Sequence, residues 1–233
     1  PLEKIESWLM FQPSFTLHSQ KPSKFKRRKV ISLWPDECWS LDLIDIQSLS
    51  PWNKNYKYIL TKIDIFSKKA NAKPMKLKFQ TDTLLALKQI IEDEDDICPS
   101  KIWSDEGSEL KLEKFYKQNN IEQYHVTTKI KGSMIERFNR TLQDKMYRIL
   151  TSRNSLSWVD FLSKCISSYN NTRTRSLFGL TPNEAHRSEN TKFIQSKYDQ
   201  ELDLYEKGIK KQAKFKVGQN VQVAKLKQIF DRG

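Results

Sequence analysis

Two runs of β-branched and aromatic residues, separated by a short turn, constrain the fold of this chain more than any other feature. The runs cover residues 38–46 and 56–66, and a Ser-Pro-Trp-Asn turn at residues 50–53 lies between them. This pattern predicts a β-hairpin, because both runs have the composition of strands and the turn ends the first one. A third strand is predicted over residues 70–76.

Helices and strands then alternate along the chain. Leucines and isoleucines at helical spacing predict a crossover helix over residues 81–94. The pattern continues with a strand at 102–104, a helix at 110–119, a strand at 121–126 and a polar loop at 127–133. An antiparallel hairpin with a third strand, followed by β-α-β units, predicts an α/β fold with a mixed sheet covered by helices.

More helices are expected after the polar loop. Residues 134–150 have an apolar stripe opposite a polar face, which is typical of a helix packed on a core. A second helix is predicted to begin at Ser157, because Asp160 follows at the spacing of a capping box. A third is predicted after Thr181, where Pro182 suits the first helical position.

Composition and hydropathy exclude several classes of protein. The 233 residues have a mean hydropathy of −0.70 and no long apolar run, so no membrane-spanning segment is expected, and the N-terminus lacks the order of a signal peptide. The cysteines Cys38, Cys98 and Cys165 lie too far apart for a CxxC zinc site and suggest reduced thiols. The chain opens at Pro1, which suggests a fragment or a processed product.

Positive charge is concentrated in two segments. The formal net charge is +13. Residues 21–29 and 207–216 are rich in lysine and arginine, and neither segment contains an acidic residue. Such runs bind polyanions, because each neutralised phosphate releases counterions. Either run alone is also compatible with a solvated surface or a nuclear import signal. The two together favour a nucleic-acid partner.

Three carboxylates are the candidates for chemistry. Asp42 lies within the first predicted strand, Asp105 directly follows the strand at 102–104, and Glu136 lies on the polar face of the helix after the loop. If the two strands are neighbours, the aspartates can converge, and the helix can bring Glu136 to the same point. Carboxylates this close repel one another unless divalent cations lie between them. The chain has 28 acidic residues, so residue type alone does not single out this set.

Other polar residues are assigned no catalytic role. The acidic run at 92–96 is typical of a solvated helix end, and Asp45 and Asp64 are interpreted as structural. The scattered histidines have no cysteine at ligand spacing and are also interpreted as structural. Two Asn-x-Thr sequons, at Asn139 and Asn170, fall in predicted helices and are set aside. The three histidines are His18, His125 and His186.

The residues around the three carboxylates carry a family resemblance. The strings WSLD at residues 39–42, WSDEGSE at 103–109 and KGSMIERFNRTL at 131–142 resemble the retroviral-type integrase catalytic core, of the DDE transferase class. The resemblance covers roughly residues 20–190. Within the class, the chain looks most like the integrases of Maverick/Polinton DNA transposons and virophages, through segments at 25–30, 58–67 and 215–223.

The resemblance implies a ribonuclease H-like fold, with a mixed five-stranded sheet flanked by helices. It divides the chain into an N-terminal helical and basic extension at 1–35, a catalytic core at 36–190, a helical linker at 191–212 and the start of a truncated SH3-like or chromodomain-like module at 213–233. The short helix expected at the extreme N-terminus is too small to fold alone. A zinc-binding domain is not expected, and the 30 residues between Asp105 and Glu136 predict a shorter catalytic loop than retroviral members have.

The resemblance also implies a reaction. Asp42, Asp105 and Glu136 would hold two Mg²⁺ or Mn²⁺ ions, and the protein would process the 3′ ends of element DNA and join them to target DNA by transesterification. Two alternatives stay open. One is a catalytically silent, domesticated DNA-binding protein, and the other is a ribonuclease H-type nuclease.

Partners and DNA contacts follow from the same resemblance. Element-end DNA and target DNA are expected, with a homo-oligomer, dimeric or larger, acting in the nucleus of a eukaryotic host. No membrane partner is expected, and chromatin contact is possible through the missing C-terminal module. The expected phosphate contacts are Arg137, Arg140, Lys131, Lys26, Arg27, Arg28 and Lys29.

Overall fold

Five strands form one mixed sheet in the computed structural model, which describes residues 5, 8, 30–105, 107–125, 133–209 and 218. The spatial order is β3-β2-β1-β4-β5. The first three strands pair antiparallel, whereas β4 pairs parallel to β1 and β5 parallel to β4. The predicted hairpin and third strand are confirmed. The strands are β1 (Cys38–Asp45), β2 (Tyr58–Asp64), β3 (Ala70–Met75), β4 (Lys101–Ser104) and β5 (Glu122–His125).

Helices flank the sheet in the predicted order. The crossover helix and the long helix after the loop are both present, which confirms the alternation read from the sequence. The described helices are α1 (Gln80–Asp93), α2 (Glu113–Gln118), α3 (Ser133–Ser152), α4 (Leu162–Asn170), α5 (Pro182–His186) and α6 (Ser188–Ile209).

Two predicted helix starts are wrong. α2 begins at Glu113 rather than at residue 110, because a short 3-10 turn (Ser108–Leu110) precedes it and buries Leu110. α4 begins at Leu162 rather than at Ser157. The Ser157 hydroxyl donates a 2.8 Å hydrogen bond to the Asp160 carboxylate, so these side chains bond each other and not the backbone groups that a capping box would satisfy.

The start of α5 follows the sequence prediction. The Thr181 hydroxyl accepts a 3.1 Å hydrogen bond from the backbone N–H of Glu184, and the Glu184 carboxylate accepts a 2.8 Å bond from the N–H of Thr181. This reciprocal pair satisfies two backbone donors that the first helical turn leaves unpaired. Pro182 occupies the first helical position, as expected.

Alternation along the strands places two separate cores on the two faces of the sheet. On β1, Ile44 faces the core shared with α3 and α4, whereas Trp39 and Leu41 face the core shared with α1 and α2. The α3 stripe predicted from the sequence is buried on the first face, through Phe138, Leu142 and other residues. Each face is therefore closed by helices, as in other layered α/β folds.

A smaller apolar cluster anchors the last two helices. Phe66 follows β2 and is fully buried against Leu177, Ala185 of α5 and Ile194 of α6. Burying a phenylalanine side chain stabilises a fold by roughly 1.5–3 kcal/mol. The Tyr198 hydroxyl donates a hydrogen bond to the Phe66 carbonyl oxygen at 3.1 Å, which fixes α6 against the β2–β3 turn.

The chain divides into two compact units, residues 1–30 and residues 31–233. The first is described only at three residues, Ile5, Trp8 and Val30. The first basic run and the polar loop up to residue 132 fall outside the described residues. The predicted N-terminal helix is described only at residues 5 and 8, the second basic run only at residues 207–209, and the predicted C-terminal module only at Gly218. Of the helices that are described, none is long and apolar enough to cross a membrane.

Candidate functional site

Asp42 lies in the middle of β1, on the face of the sheet that packs against α3. Side chains alternate along a strand, so Asp42 shares its face with Ile44, which is buried in the core formed with α3. The carboxylate is half-buried. Its Oδ1 accepts a 2.8 Å hydrogen bond from the N–H of Leu43, and its Oδ2 accepts one of 2.8 Å from Nδ2 of Asn139.

Asp105 directly follows β4, the parallel neighbour of β1. Ser40 pairs with Trp103 across these strands. Ser40 and Trp103 are the last recorded pair, and the same register continued by two residues would set Asp105 beside Asp42 on one face of the sheet. Asp105 is exposed, and its Oδ1 accepts a 3.2 Å hydrogen bond from the N–H of Gly107. The expected adjacency of the two strands is therefore present.

Glu136 lies on the first turn of α3 and is exposed. It precedes Asn139 by three residues, and residues at this spacing are neighbours on one helical face. Because Asn139 contacts Asp42, the N-terminal end of α3 lies over the part of β1 that carries Asp42. The elements that carry the three predicted carboxylates are thus neighbours, because β1 pairs with β4 and α3 contacts Asp42.

The three carboxylates are not drawn together closely enough to form a tight ligand set. Within the part of the chain that the structure describes, the candidate metal-binding group whose ligand atoms all lie within 4.8 Å of one another is a different one, Asp36, Asp64 and His186. The oxygen atoms of the three carboxylates are nevertheless the donors that Mg²⁺ and Mn²⁺ prefer.

Asn139 is a functional candidate that the sequence analysis set aside as a sequon. Its side chain is 8% exposed, and Oδ1 is buried without a hydrogen-bond partner among the described residues, while Nδ2 holds Asp42. A buried amide oxygen with no partner is uncommon, and it suits a site that takes a polar ligand or an ordered water. The sequence feature that could have identified Asn139 is its position three residues after Glu136 in a predicted helix.

The group formed by Asp36, Asp64 and His186 is tied into a network of buried charges. Oδ2 of Asp36 lies 3.2 Å from Nε2 of His186, and Oδ1 lies 3.7 Å from the Lys62 ammonium. Burial alone would raise the pKa of Asp36, but the hydrogen bond to His186 and the charge of Lys62 outweigh it and hold that pKa below its usual range. A cation entering here would meet the positive charge of Lys62.

Asp64 has its own hydrogen-bond donors. Its Oδ2 accepts bonds from the backbone N–H of Ser67 at 2.8 Å and from the Ser67 hydroxyl at 2.5 Å. Burial raises the pKa of Asp64, since water is excluded from the carboxylate. These contacts join the β2–β3 turn to α5 through His186 and agree with the structural role predicted for Asp64 and His186.

Predicted phosphate-contact residues are only partly described. Arg137 and Arg140 are exposed on α3, and Arg140 lies one turn beyond Glu136. Burial raises the pKa of the nearby Tyr169 phenol to about 12, an effect that the charge of Arg137 opposes. Lys131 and the basic residues Lys26, Arg27, Arg28 and Lys29 lie outside the described residues.

Comparisons with known proteins establish the fold. No family model matches the chain. A Caenorhabditis elegans transposon-derived protein is 26% identical over 184 residues, which cover 78% of this chain and 59% of that protein. The present chain therefore spans about three fifths of that relative.

Solved structures similar to this chain are retroviral integrases. The magnesium complex of the HTLV-2 integrase catalytic core domain, in its trimeric form, superposes with a TM-score of 0.56 at 19% identity, covering 67% of this chain and all 100% of that one. An integrase chain of the simian T-cell lymphotropic virus intasome, in complex with PP2A regulatory subunit B56 gamma, gives a TM-score of 0.61 at 20% identity, covering 79% and 74%. The chain has the integrase-core, ribonuclease H-like fold predicted from its sequence.

Proposed function

We propose that this chain is the core of a DNA integrase or transposase that processes the 3′ ends of element DNA and joins them to target DNA. The observation that carries the proposal is the parallel pairing of β1, which contains Asp42, with β4, which Asp105 directly follows, together with the contact of α3, which contains Glu136, with Asp42. The transposon-derived relative and the retroviral integrase fold support it.

The three carboxylates fit a site for divalent cations. Asp42, Asp105 and Glu136 would hold two Mg²⁺ or Mn²⁺ ions, because hard cations take oxygen ligands. Bound there, the ions would supply activation of the attacking oxygen and stabilisation of the leaving oxygen. Asn139 would orient Asp42, since its amide already donates a hydrogen bond to Oδ2 of that carboxylate.

The reaction needs no nucleophile from the protein. In the first step a water oxygen bonds to phosphorus and a P–O3′ bond breaks, which leaves a 3′-hydroxyl on the element strand. In the second step that hydroxyl oxygen bonds to a target phosphorus and loses its proton, the target P–O3′ bond breaks, and the leaving 3′ oxygen takes up a proton. This chain's residues would hold the two DNA strands in line and keep the phosphates in place.

Cationic side chains would supply the DNA surface. Arg137 and Arg140 are exposed beside Glu136, where a guanidinium can fork onto a phosphate. Lys131 and residues 26–29 are further cationic residues that we assign to this surface from the sequence. We expect a homo-oligomer, and the solved HTLV-2 cores exist in dimeric and trimeric forms. The proposed place of action is the nucleus of a eukaryotic host.

The test is Asp105→Asn in the full chain. Because transesterification is reversible, a branched oligonucleotide that mimics the joined product reports the chemistry in the presence of Mg²⁺. Asp105→Asn should abolish resealing and strand joining while DNA binding stays close to wild type, since the substitution removes a possible metal ligand and leaves the lysines and arginines of the basic runs unchanged. The matched control is Asp45→Asn, an exposed carboxylate at the end of the same sheet that bonds only Gln47 in the contacts described.

The outcomes also separate the alternatives. Wild-type turnover by Asp105→Asn would remove this residue from the site. DNA binding without any turnover by the wild-type chain would favour the catalytically silent DNA-binding protein. Cleavage confined to the RNA strand of an RNA–DNA hybrid would favour the ribonuclease H-type nuclease.

A further inference from the structure

A buried carboxylate lies on the loop that carries Asp105. Glu109 is 7% exposed, and its Oε1 lies 2.9 Å from the ammonium of Lys78, which belongs to the connection between β3 and α1. Removing an acid from water is costly unless an opposite charge compensates it. Lys78 supplies that charge, so the ion pair holds the ammonium at a defined position beside the Asp105 loop.

The loop is shaped to receive this carboxylate. A Cβ atom on Gly107 would lie 2.8 Å from Oε1 of Glu109 and 3.0 Å from Oε2, so the carboxylate would have to shift to make room for it. Gly107 therefore leaves the space that Glu109 fills. A second link joins the same two segments, because the Gln80 amide donates a 2.9 Å hydrogen bond to the Ser108 carbonyl oxygen. The connection between β3 and α1 is thus joined by two contacts to the loop that follows Asp105.

Lys78 retains access to solvent while it is held. Its side chain is 51% exposed, whereas that of Glu109 is 8% exposed. An ammonium has three N–H donors, and the hydrogen bond to Oε1 of Glu109 uses one of them. The hydrogen bond that Lys78 donates to Glu109, and the charge of that carboxylate, raise the pKa of Lys78, and the Asp105 carboxylate contributes to the same shift.

We propose that Lys78 is a DNA-contact residue, whose ammonium, held by the buried Glu109, binds a backbone phosphate of the strand that lies at Asp105. This assignment rests on the proposed function and adds a specific positioning residue to it. A lysine binds phosphate as a point charge, so its value depends on being held in place before the DNA arrives. The Glu109 carboxylate provides that constraint without blocking the exposed side of the ammonium.

The competing explanation is that Lys78 serves only to neutralise Glu109. The two explanations differ in a double mutant. If neutralisation is the whole role, Lys78→Ala harms the protein by leaving a buried charge unpaired, and adding Glu109→Gln removes that charge and restores function. If Lys78 binds phosphate, Glu109→Gln restores stability but not DNA contact.

The experiment measures binding of the full chain to the branched oligonucleotide across a range of salt concentrations, with a parallel joining assay. Lys78→Ala and Lys78→Ala/Glu109→Gln should both lower the dependence of log K on log salt by about 0.9, the value for one phosphate. Both should also lower joining. Lys73→Ala is the matched control, because Lys73, in β3 just before the connection that carries Lys78, also pairs with a carboxylate, that of Asp93 on α1 at 2.7 Å.

Each result decides the assignment. A salt slope in both Lys78 variants equal to that of Lys73→Ala overturns it, and so does recovery of wild-type slope and joining in the double mutant. The double mutant keeps the test valid if Lys78→Ala alone fails to fold. The binding measurement does not need turnover, so a wild-type chain that binds DNA and does not join it contradicts the proposed reaction while the slope still decides the role of Lys78. A wild-type chain that does not bind the oligonucleotide overturns both.

Discussion

Nδ2 of Asn139 donates a 2.8 Å hydrogen bond to Oδ2 of Asp42, across 97 residues of chain. This contact joins α3 to the central strand of the sheet at Asp42, one of the three candidate carboxylates. It also leaves Oδ1 of Asn139 buried without a partner among the described residues. Asn139 therefore combines one strong structural contact with one available polar atom, which is the pattern of a residue that positions a ligand.

Asn139→Ala should lower strand joining by roughly 10–100-fold, the usual effect of removing a group that orients a metal-binding side chain. Its effect on stability should be small, because Asp42 is half-buried and water can replace the lost donor. The measurements are the joining rate and the midpoint of urea unfolding. An unchanged joining rate would show that Asn139 does not orient Asp42.

Asn170 is the matched control for this prediction, since it is also an asparagine that is 8% exposed. Its amide bonds both the N–H of Ala70, at 2.9 Å, and the carbonyl oxygen of Ala70, at 2.8 Å. Asn170→Ala should cost roughly 1–3 kcal/mol of stability, because two buried backbone groups lose their partner. Joining per folded molecule should change less than in Asn139→Ala.

Arg140→Ala should lower strand joining more than about tenfold, with Arg140→Lys intermediate, because a forked guanidinium contact to phosphate is only partly replaced by an ammonium. Thermal stability should change little, since the side chain is exposed. If Arg140 instead pairs only with Glu136, the loss is a few tenths of a kcal/mol and both variants join DNA normally. Arg148→Ala, an exposed arginine on the same helix, is the control in a gel-based joining assay.

The basic run should set the salt dependence of DNA binding. Replacing Lys26, Arg27, Arg28 and Lys29 with alanine should reduce the slope of log K against log salt by as much as about 3–4, at roughly 0.9 for each lost phosphate contact. The charge-matched control replaces four exposed lysines in or just before α1 and α2. An equal change in both variants would show that net charge, and not this segment, governs binding. The control lysines are Lys88, Lys111, Lys114 and Lys117.

The ionisation of Glu37 should make the stability of the fold depend on pH. Burial alone would raise the pKa of Glu37, but hydrogen bonds from the N–H of Leu33, from Lys101 and from Ser32 outweigh it and hold that pKa below its usual range. The bond from Leu33 is 2.6 Å long and the ammonium of Lys101 lies at 2.8 Å. A carboxyl whose pKa is lowered by folding contributes stability above its unfolded pKa, and that stability is lost as pH falls through the folded pKa.

Glu37→Gln should therefore be less stable than wild type at neutral pH, and the difference should shrink as the pH falls below the ordinary range for a glutamate. Urea unfolding at a series of pH values measures it. A constant difference between the two proteins at every pH would contradict the prediction. Glu92→Gln, at an exposed position on α1, should follow the wild-type curve.

Local sequence patterns determined the order of strands and helices in this protein. A strand repeats every two residues and a helix every 3.6, so the β1–β2 hairpin and the buried stripe of α3 are visible in short windows. The capping box at Thr181 is equally local. The same reasoning failed at Ser157, because Trp158 and Phe161, on either side of Asp160 in the chain, are both buried and a 3-10 turn forms at residues 159–161.

The tertiary structure alone decided which of these local features meet. The register of β1 against β4, the contact of Asn139 with Asp42 and the ion pair of Lys78 with Glu109 each join segments that are distant in the chain. No short-range period encodes such pairs, since they depend on how the two cores pack and on which buried charges must find partners. The sequence therefore indicated the three carboxylates by resemblance, and the packing of α3 on the sheet supplied the residues that surround them.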